Sequence, residues 1–163
     1  MNPSFAVEKT LGKLAKWLRL LGFDTVYEQG LTPETFAGER HNRILLTRTR
    51  RTWEANAPED CLLITADRVF DQLKQVIRTL SLHIDDIRPF SRCISCNTPI
   101  APIDKTAVYG RVPDYIWETH ERFQHCDQCR QTFWEGSHVD RGMEKIRQLF
   151  GNSDPPCKRT GFG

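Results

Sequence analysis

Short apolar runs and amphipathic stretches alternate from residue 4 to residue 90. Ser4–Val7 is β-compatible, and Lys9–Leu21 follows with Leu11, Leu14, Leu18 and Leu21 at helical spacing. Gly22 is placed to stop that helix. Thr25–Tyr27 predicts a second short strand. Thr32 as N-cap and Pro33 at the first position start a short helix that ends before Arg43. Ile44–Thr47 and Leu62–Thr65 read as buried strands joined by a polar connection containing Pro58. From Asp67 to Leu80 the positions Val69, Phe70, Leu73, Val76, Ile77 and Leu80 mark an amphipathic helix. This alternation predicts an α/β fold with a parallel sheet covered on its faces.

The pattern breaks after Arg88-Pro89. Residues 91–139 hold two cysteine pairs, several prolines and the aromatics Tyr109, Tyr115, Trp117, Phe123, Phe133 and Trp134, with too little apolar periodicity for a conventional core. Residues 140–150 read as a short closing helix, and the tail from Gly151 as disordered. The chain thus divides into an α/β unit over 1–90, a metal-stabilised unit with its closing helix over 91–150, and a tail over 151–163.

Cys93-x-x-Cys96 and Cys126-x-x-Cys129 place four thiolates on two tight turns, the pattern of a tetrahedral zinc site. The polar residues inside both turns favour zinc over iron. Four thiolates leave no open position, so the zinc is expected to be structural and to replace the core the segment lacks. His125 adjoins Cys126 and is an alternative ligand, while Cys61 and Cys157 stand alone. No export signal precedes these cysteines, so metal ligation is expected before disulfides, in a cytoplasmic protein. No run approaches the roughly 20 apolar residues of a spanning helix.

Net charge is +2, from 23 Lys and Arg against 21 Asp and Glu, so a basic surface must come from local clustering. Lys9, Lys13 and Lys16 recur on one face of the first helix. Such a stripe either tracks a phosphate backbone or is the solvated face of an amphipathic helix. Arg48, Arg50 and Arg51 follow the Ile44–Thr47 strand, and loops after parallel strands are where ligands bind. Trp53 beside them offers a stacking surface or a core side chain.

Several separate motifs occur in one order: Phe5-Ala6-Val7-Glu8, the run from Leu11 to Thr25, Arg43-Ile44-Leu45-Leu46-Thr47-Arg48, Gln72-Leu73, Ser91-Arg92-Cys93, Cys96-Asn97 and Gly136-Ser137-His138. From about Phe5 to Phe150 the chain resembles the Mut-seven C-terminal RNase domain family. The resemblance implies a PIN-like α/β fold, a parallel sheet flanked by helices and followed by a small zinc ribbon. It implies RNA as partner and a hydrolase whose clustered carboxylates hold magnesium or manganese to activate water. On the family pattern Glu8 replaces an Asp, Asp67 keeps the acid after the fourth strand, and Glu34 is the acid nearest one expected at Thr32-Pro33. Thr49 stands where the family has an Asp. The catalytic candidates are therefore Glu8, Asp67 and Glu34. The RNA-binding candidates are Lys13, Lys16, Arg48 and Arg50, and the zinc ligands Cys93, Cys96, Cys126 and Cys129. Glu8 and Asp67 have an equally simple reading as helix-capping acids, and Asp24 reads as structural.

Three functions stay open. The first is a metal-dependent endoribonuclease acting on single-stranded RNA. The second is a non-catalytic RNA-binding or adaptor protein that keeps the fold, which Thr49 favours. The third is a zinc-ribbon module for a protein partner. Carboxylates of Glu8, Glu34, Asp67 and Asp71 converging within metal-ligand reach would favour the enzyme.

Overall fold

In the computed structural model, which describes residues 2–151, four short strands pair in parallel. They are β1 (Phe5–Val7), β2 (Thr25–Tyr27), β3 (Ile44–Thr47) and β4 (Cys61–Leu63), in the order β2-β1-β3-β4. Four helices connect or follow them: α1 (Gly12–Leu20), α2 (Pro33–Glu39), α3 (Arg50–Glu54) and α4 (Val69–Thr79). The mixed α/β class and the parallel sheet agree with the sequence pattern. The tail expected to be disordered lies, from residue 152 with Cys157, outside the described residues.

The sheet is buried on both faces, as a parallel sheet requires. Phe5, Val7 and Leu46 point into the larger core with Leu14, Leu18, Leu73 and Val76 of α1 and α4. Ala6, Leu45 and Cys61 point the other way, against Phe36 of α2 and the half-buried Trp53 of α3. Trp53 is therefore a packing residue, and α3 occupies part of what the sequence predicts as a bare polar connection.

Three local boundaries differ from the sequence pattern for physical reasons. Lys9–Leu11 forms a 3-10 turn before α1, which breaks the lysine stripe after Lys9 and leaves Lys13 and Lys16 exposed on α1 itself. β4 begins and ends earlier than the apolar run Leu62–Thr65. The Thr65 amide donates to Gln75 Oε1 of α4 (3.0 Å) and draws the chain out of the sheet. α4 starts at Val69 with Arg68 as its N-cap residue, so Asp67 lies outside the helix and does not cap it. Gly22 does stop α1 as expected. Its φ of +92° suits glycine, and a Cβ there would collide with the Arg88 carbonyl oxygen.

A three-stranded antiparallel sheet follows: β5 (Ala101–Ile103), β6 (Phe123–His125) and β7 (Thr132–Phe133). With α5 (Asp114–Thr119) it builds an apolar cluster of Val108, Val112, Ile116 and Phe123. The segment thus has a small core of its own, which its weak periodicity conceals. The last helix, α6 (Ser137–Gly151), returns to the α/β core, where Met143, Ile146 and Phe150 join the α1–α4 cluster.

Buried polar contacts lock the ribbon to the α/β core. Arg19 of α1 donates to the Thr25 carbonyl (2.9 Å) and to those of Ile94 (3.1 Å) and Ser95 (2.8 Å) inside the first cysteine turn. Asn97 donates to Asp24 (2.6 Å) and accepts from the Thr25 amide (2.9 Å). Asp24 also pairs with Arg43 at 2.7 Å. Burial opposes the Asp24 carboxylate, but its hydrogen bonds to Arg43 and Asn97 outweigh that and hold it below the usual range. Its contribution to stability is therefore present above the unfolded value of about 4 and is lost as pH falls through the depressed folded value. Asp24→Asn should cost about 1 kcal/mol at pH 7 and should reduce the loss of stability between pH 5 and pH 3. Urea unfolding of both proteins across that range measures it.

Candidate functional site

The chain passes from β1 to β2 on one side of β1, then crosses to β3 on the other. β1 and β3 therefore flank the point where successive connections leave in opposite directions, and the strand C-termini there are the place where a parallel sheet offers a ligand site. Glu8 follows β1 and Arg48 follows β3, so the topology alone brings these two residues to that edge.

Their contacts define the edge. The Glu8 amide donates to the Leu46 carbonyl (3.2 Å), and the Glu8 carboxylate accepts from the Arg48 amide (3.2 Å). Glu8 precedes the 3-10 turn but makes no capping hydrogen bond with it. The Arg48 guanidinium pairs with Asp67 (2.7 Å) and donates to the Ala66 carbonyl (3.3 Å). Arg48 thus spans from Glu8, through its backbone, to Asp67, through its side chain. Behind them, the buried Gln72 of α4 donates to the carbonyls of Ala66 (3.0 Å) and Asp67 (3.3 Å) and fixes the loop that carries the acid. The Asp67 side chain is 88% exposed, so its pair with Arg48 lies in water and is readily exchanged for another partner.

Glu28 is a third acid at this edge, one that no motif in the sequence singles out. Its amide continues the β1–β2 ladder by donating to the Val7 carbonyl (3.0 Å), which sets Glu28 beside Glu8. Its carboxylate accepts from the Lys9 amide at 2.8 Å. The signal was available, because Glu28 follows β2 as Glu8 follows β1. Glu34 is exposed in the first turn of α2. Thr49 and Arg50 are exposed at the start of α3. Among the described residues, no three carboxylates bring their oxygens within 4.8 Å of one another.

The four cysteines do converge. All four Sγ atoms lie within 4.8 Å of one another, and those of Cys96 and Cys126 are 3.5 Å apart. A tetrahedral zinc with bonds of about 2.3 Å needs sulfurs about 3.8 Å apart, so the set fits that ion. The two turns are alike. The Cys93 amide donates to Thr98 (2.8 Å) and the Cys126 amide to Gln131 (2.9 Å), and Asn97 and Arg130 close them at φ of 71° and 58°. Cys93 and Cys126 are buried. Burial pushes the Cys93 thiol up. Burial also opposes the Cys96 thiolate, but hydrogen bonds from Thr98, Cys129 and Cys126 outweigh it and bring that group down to about 6. Cys129 is pushed up to about 12, first by its hydrogen bond to Cys96 and then by burial. A divalent ion at this centre would hold all four as thiolates. His125 instead faces Thr132 (3.3 Å) and Asp127 (3.9 Å), outside the set.

Lys13 and Lys16 line a groove of about 560 Å³ between α1, the start of α4 and α6. Arg141 and Lys145 of α6 line it too, together with Trp17 and Phe70. The groove thus joins residues far apart in the chain, and no local spacing marks them as neighbours.

Compared with known protein families, residues 3–146 match the family model described as Mut7-C RNAse domain. No curated protein matches the chain. Among the described residues, no helix is long and apolar enough to cross a membrane.

Proposed function

We propose that this chain, which belongs to the Mut7-C RNAse domain family, binds single-stranded RNA along the C-terminal edge of its parallel sheet and keeps binding rather than hydrolysis as its function. Membership gives the nuclease-like role and points to RNA. The observation that carries the finer reading is Arg48. It engages Glu8 through its amide and Asp67 through its guanidinium, while Thr49 stands where the resemblance implies an acid. A protein cation thus already balances an acid at the edge. Glu28 is held by the Lys9 amide.

Magnesium or manganese does not fit this arrangement. A hard dication calls for several oxygen ligands around one point, and among the described residues no three carboxylates bring their oxygens within 4.8 Å of one another. An RNA phosphate does fit. Arg48 can exchange the exposed Asp67 for a phosphate, with Arg50 beside it and Lys13 and Lys16 on α1. The zinc centre on this reading is structural and seats the ribbon against α1.

The second reading is a magnesium- or manganese-dependent endoribonuclease with Glu8 and Asp67 in its acid set. It is favoured by the occurrence of Glu8, Glu28 and Asp67 beyond the ends of three of the four strands.

The binding reading is tested by fluorescence anisotropy with a labelled single-stranded RNA at several salt concentrations. Replacing Lys13, Lys16, Arg48 and Arg50 together by Ala should weaken binding. It should also reduce the slope of log affinity against log salt by up to about 3, at about 0.7 for each lost single-strand phosphate contact. An unchanged affinity and slope would reject the edge as the binding surface.

A further inference from the structure

The groove between α1, α4 and α6 adds Arg141, Lys145 and two aromatic rings to the lysines of α1 that edge binding already uses. Four cations line it, Lys13 and Lys16 from α1 and Arg141 and Lys145 from α6, with His138 also in its lining and no acidic side chain in its wall. In a chain of nearly balanced charge this is a local concentration of one sign. Among the described residues, none of these four cations forms an ion pair, whereas Arg43, Arg48, Lys105 and Arg147 all do.

The floor is aromatic. The rings of Trp17 and Phe70 lie 5.2 Å apart at a 54° tilt, both half-buried, and Lys145 Nζ sits 5.1 Å from the centre of the Phe70 ring. Gly142 makes the arrangement possible. A Cβ at that position would collide with the Trp17 indole, so only glycine lets α6 close over α1 with the ring in place. The return of α6 from the ribbon to the α/β core thus forms one wall of the groove.

Cations flanking half-buried aromatic rings match unpaired nucleotides, which offer phosphates at intervals and bases free to stack. A duplex offers the phosphates but keeps its bases stacked inside. The groove also adjoins the edge described above, since α1 follows Glu8 after one short turn and α4 begins two residues after Asp67. We propose that this groove carries the single-stranded RNA onward from the sheet edge, with Lys13, Lys16, Arg141 and Lys145 on its phosphates and a base on Trp17 and Phe70. This rests on the RNA-binding reading and adds to it a path and a selectivity for unpaired strands.

The test uses the full chain with a labelled 12-nucleotide single strand, a duplex RNA of equal length, and poly-glutamate as an unrelated polyanion. Arg141→Gln with Lys145→Gln should weaken single-strand binding about tenfold and lower its salt slope by about 1.4, for two phosphate contacts. Phe70→Leu, which keeps an apolar side chain in place, should weaken single-strand binding about tenfold with an unchanged salt slope, as loss of stacking does. It should leave duplex binding unaltered. An Arg48→Ala, Arg50→Ala variant reports on the edge separately. If that variant binds weakly while both groove variants match the wild type, the groove is overturned and the edge stands. If the wild type binds no RNA, both fall. If poly-glutamate competes as well as RNA and Phe70→Leu has no effect, the groove is a general polyanion surface and the single-strand assignment is overturned.

Discussion

Cys93→Ser is expected to release the zinc and unfold the ribbon while the α/β core persists. The four sulfurs already stand within 4.8 Å of one another, and Cys93 is fully buried among them. A structural zinc of this kind carries on the order of 10 kcal/mol of folding free energy. The ribbon's own cluster of Val108, Val112, Ile116 and Phe123 is too small to replace it. The α/β core is different. Its cluster joins α1, α4 and α6 to the sheet and contains no ribbon residue, so helix and sheet should survive. Hydrogen exchange should show lost protection over about residues 91–134 and retained protection in β1, β3 and α4. Elemental analysis should show one zinc per wild-type chain and none in the variant. Unchanged zinc in Cys93→Ser would remove Cys93 from the site.

Thr49→Asp is expected to strengthen divalent-cation binding at the edge. Position 49 follows Arg48 directly, on the exposed loop into α3. A further carboxylate there adds charge and a hard oxygen ligand near Glu8 and Asp67. It also offers Arg48 a new partner and so releases Asp67. Manganese affinity, followed by calorimetry, should rise by about tenfold or more, equivalent to about 1.4 kcal/mol. Asp67→Asn on that background should cancel the gain, because the amide keeps the shape and loses the charge. Without metal, the added acid should lower stability through repulsion with its neighbours. Equal manganese affinity in wild type and Thr49→Asp would show that position 49 does not belong to the site.

The sequence made some of this legible and concealed the rest, for identifiable reasons. Short apolar runs mark the four parallel strands, which are buried on both faces, helical apolar spacing marks α1 and α4, and the Thr32-Pro33 start marks α2. α3 and α5 escaped notice, since helices of one to two turns carry too few apolar positions to show a period. The cysteine turns were legible because their spacing is itself the chemistry. The edge was only half legible. Arg48 is legible as a residue after a strand, and Glu8 and Asp67 through the family resemblance, but nothing local says that Arg48 turns toward Asp67 rather than toward solvent. Asp67 looked like a cap because it precedes a helix. The helix starts two residues later, and Gln72 holds the loop in between. The groove was the least legible, since Lys145 and Phe70 meet across 75 residues through the packing of Gly142 on Trp17.

On the function proposed above, this nuclease-family edge holds RNA without cutting it. The most direct measurement incubates the zinc-loaded wild type with an end-labelled single-stranded RNA in magnesium and then manganese, and resolves each sample on a native and a denaturing gel. The expected result is a shifted band on the native gel and full-length RNA on the denaturing gel with either metal. Metal-dependent cleavage that Asp67→Asn abolishes would contradict the claim and establish the endoribonuclease in its place.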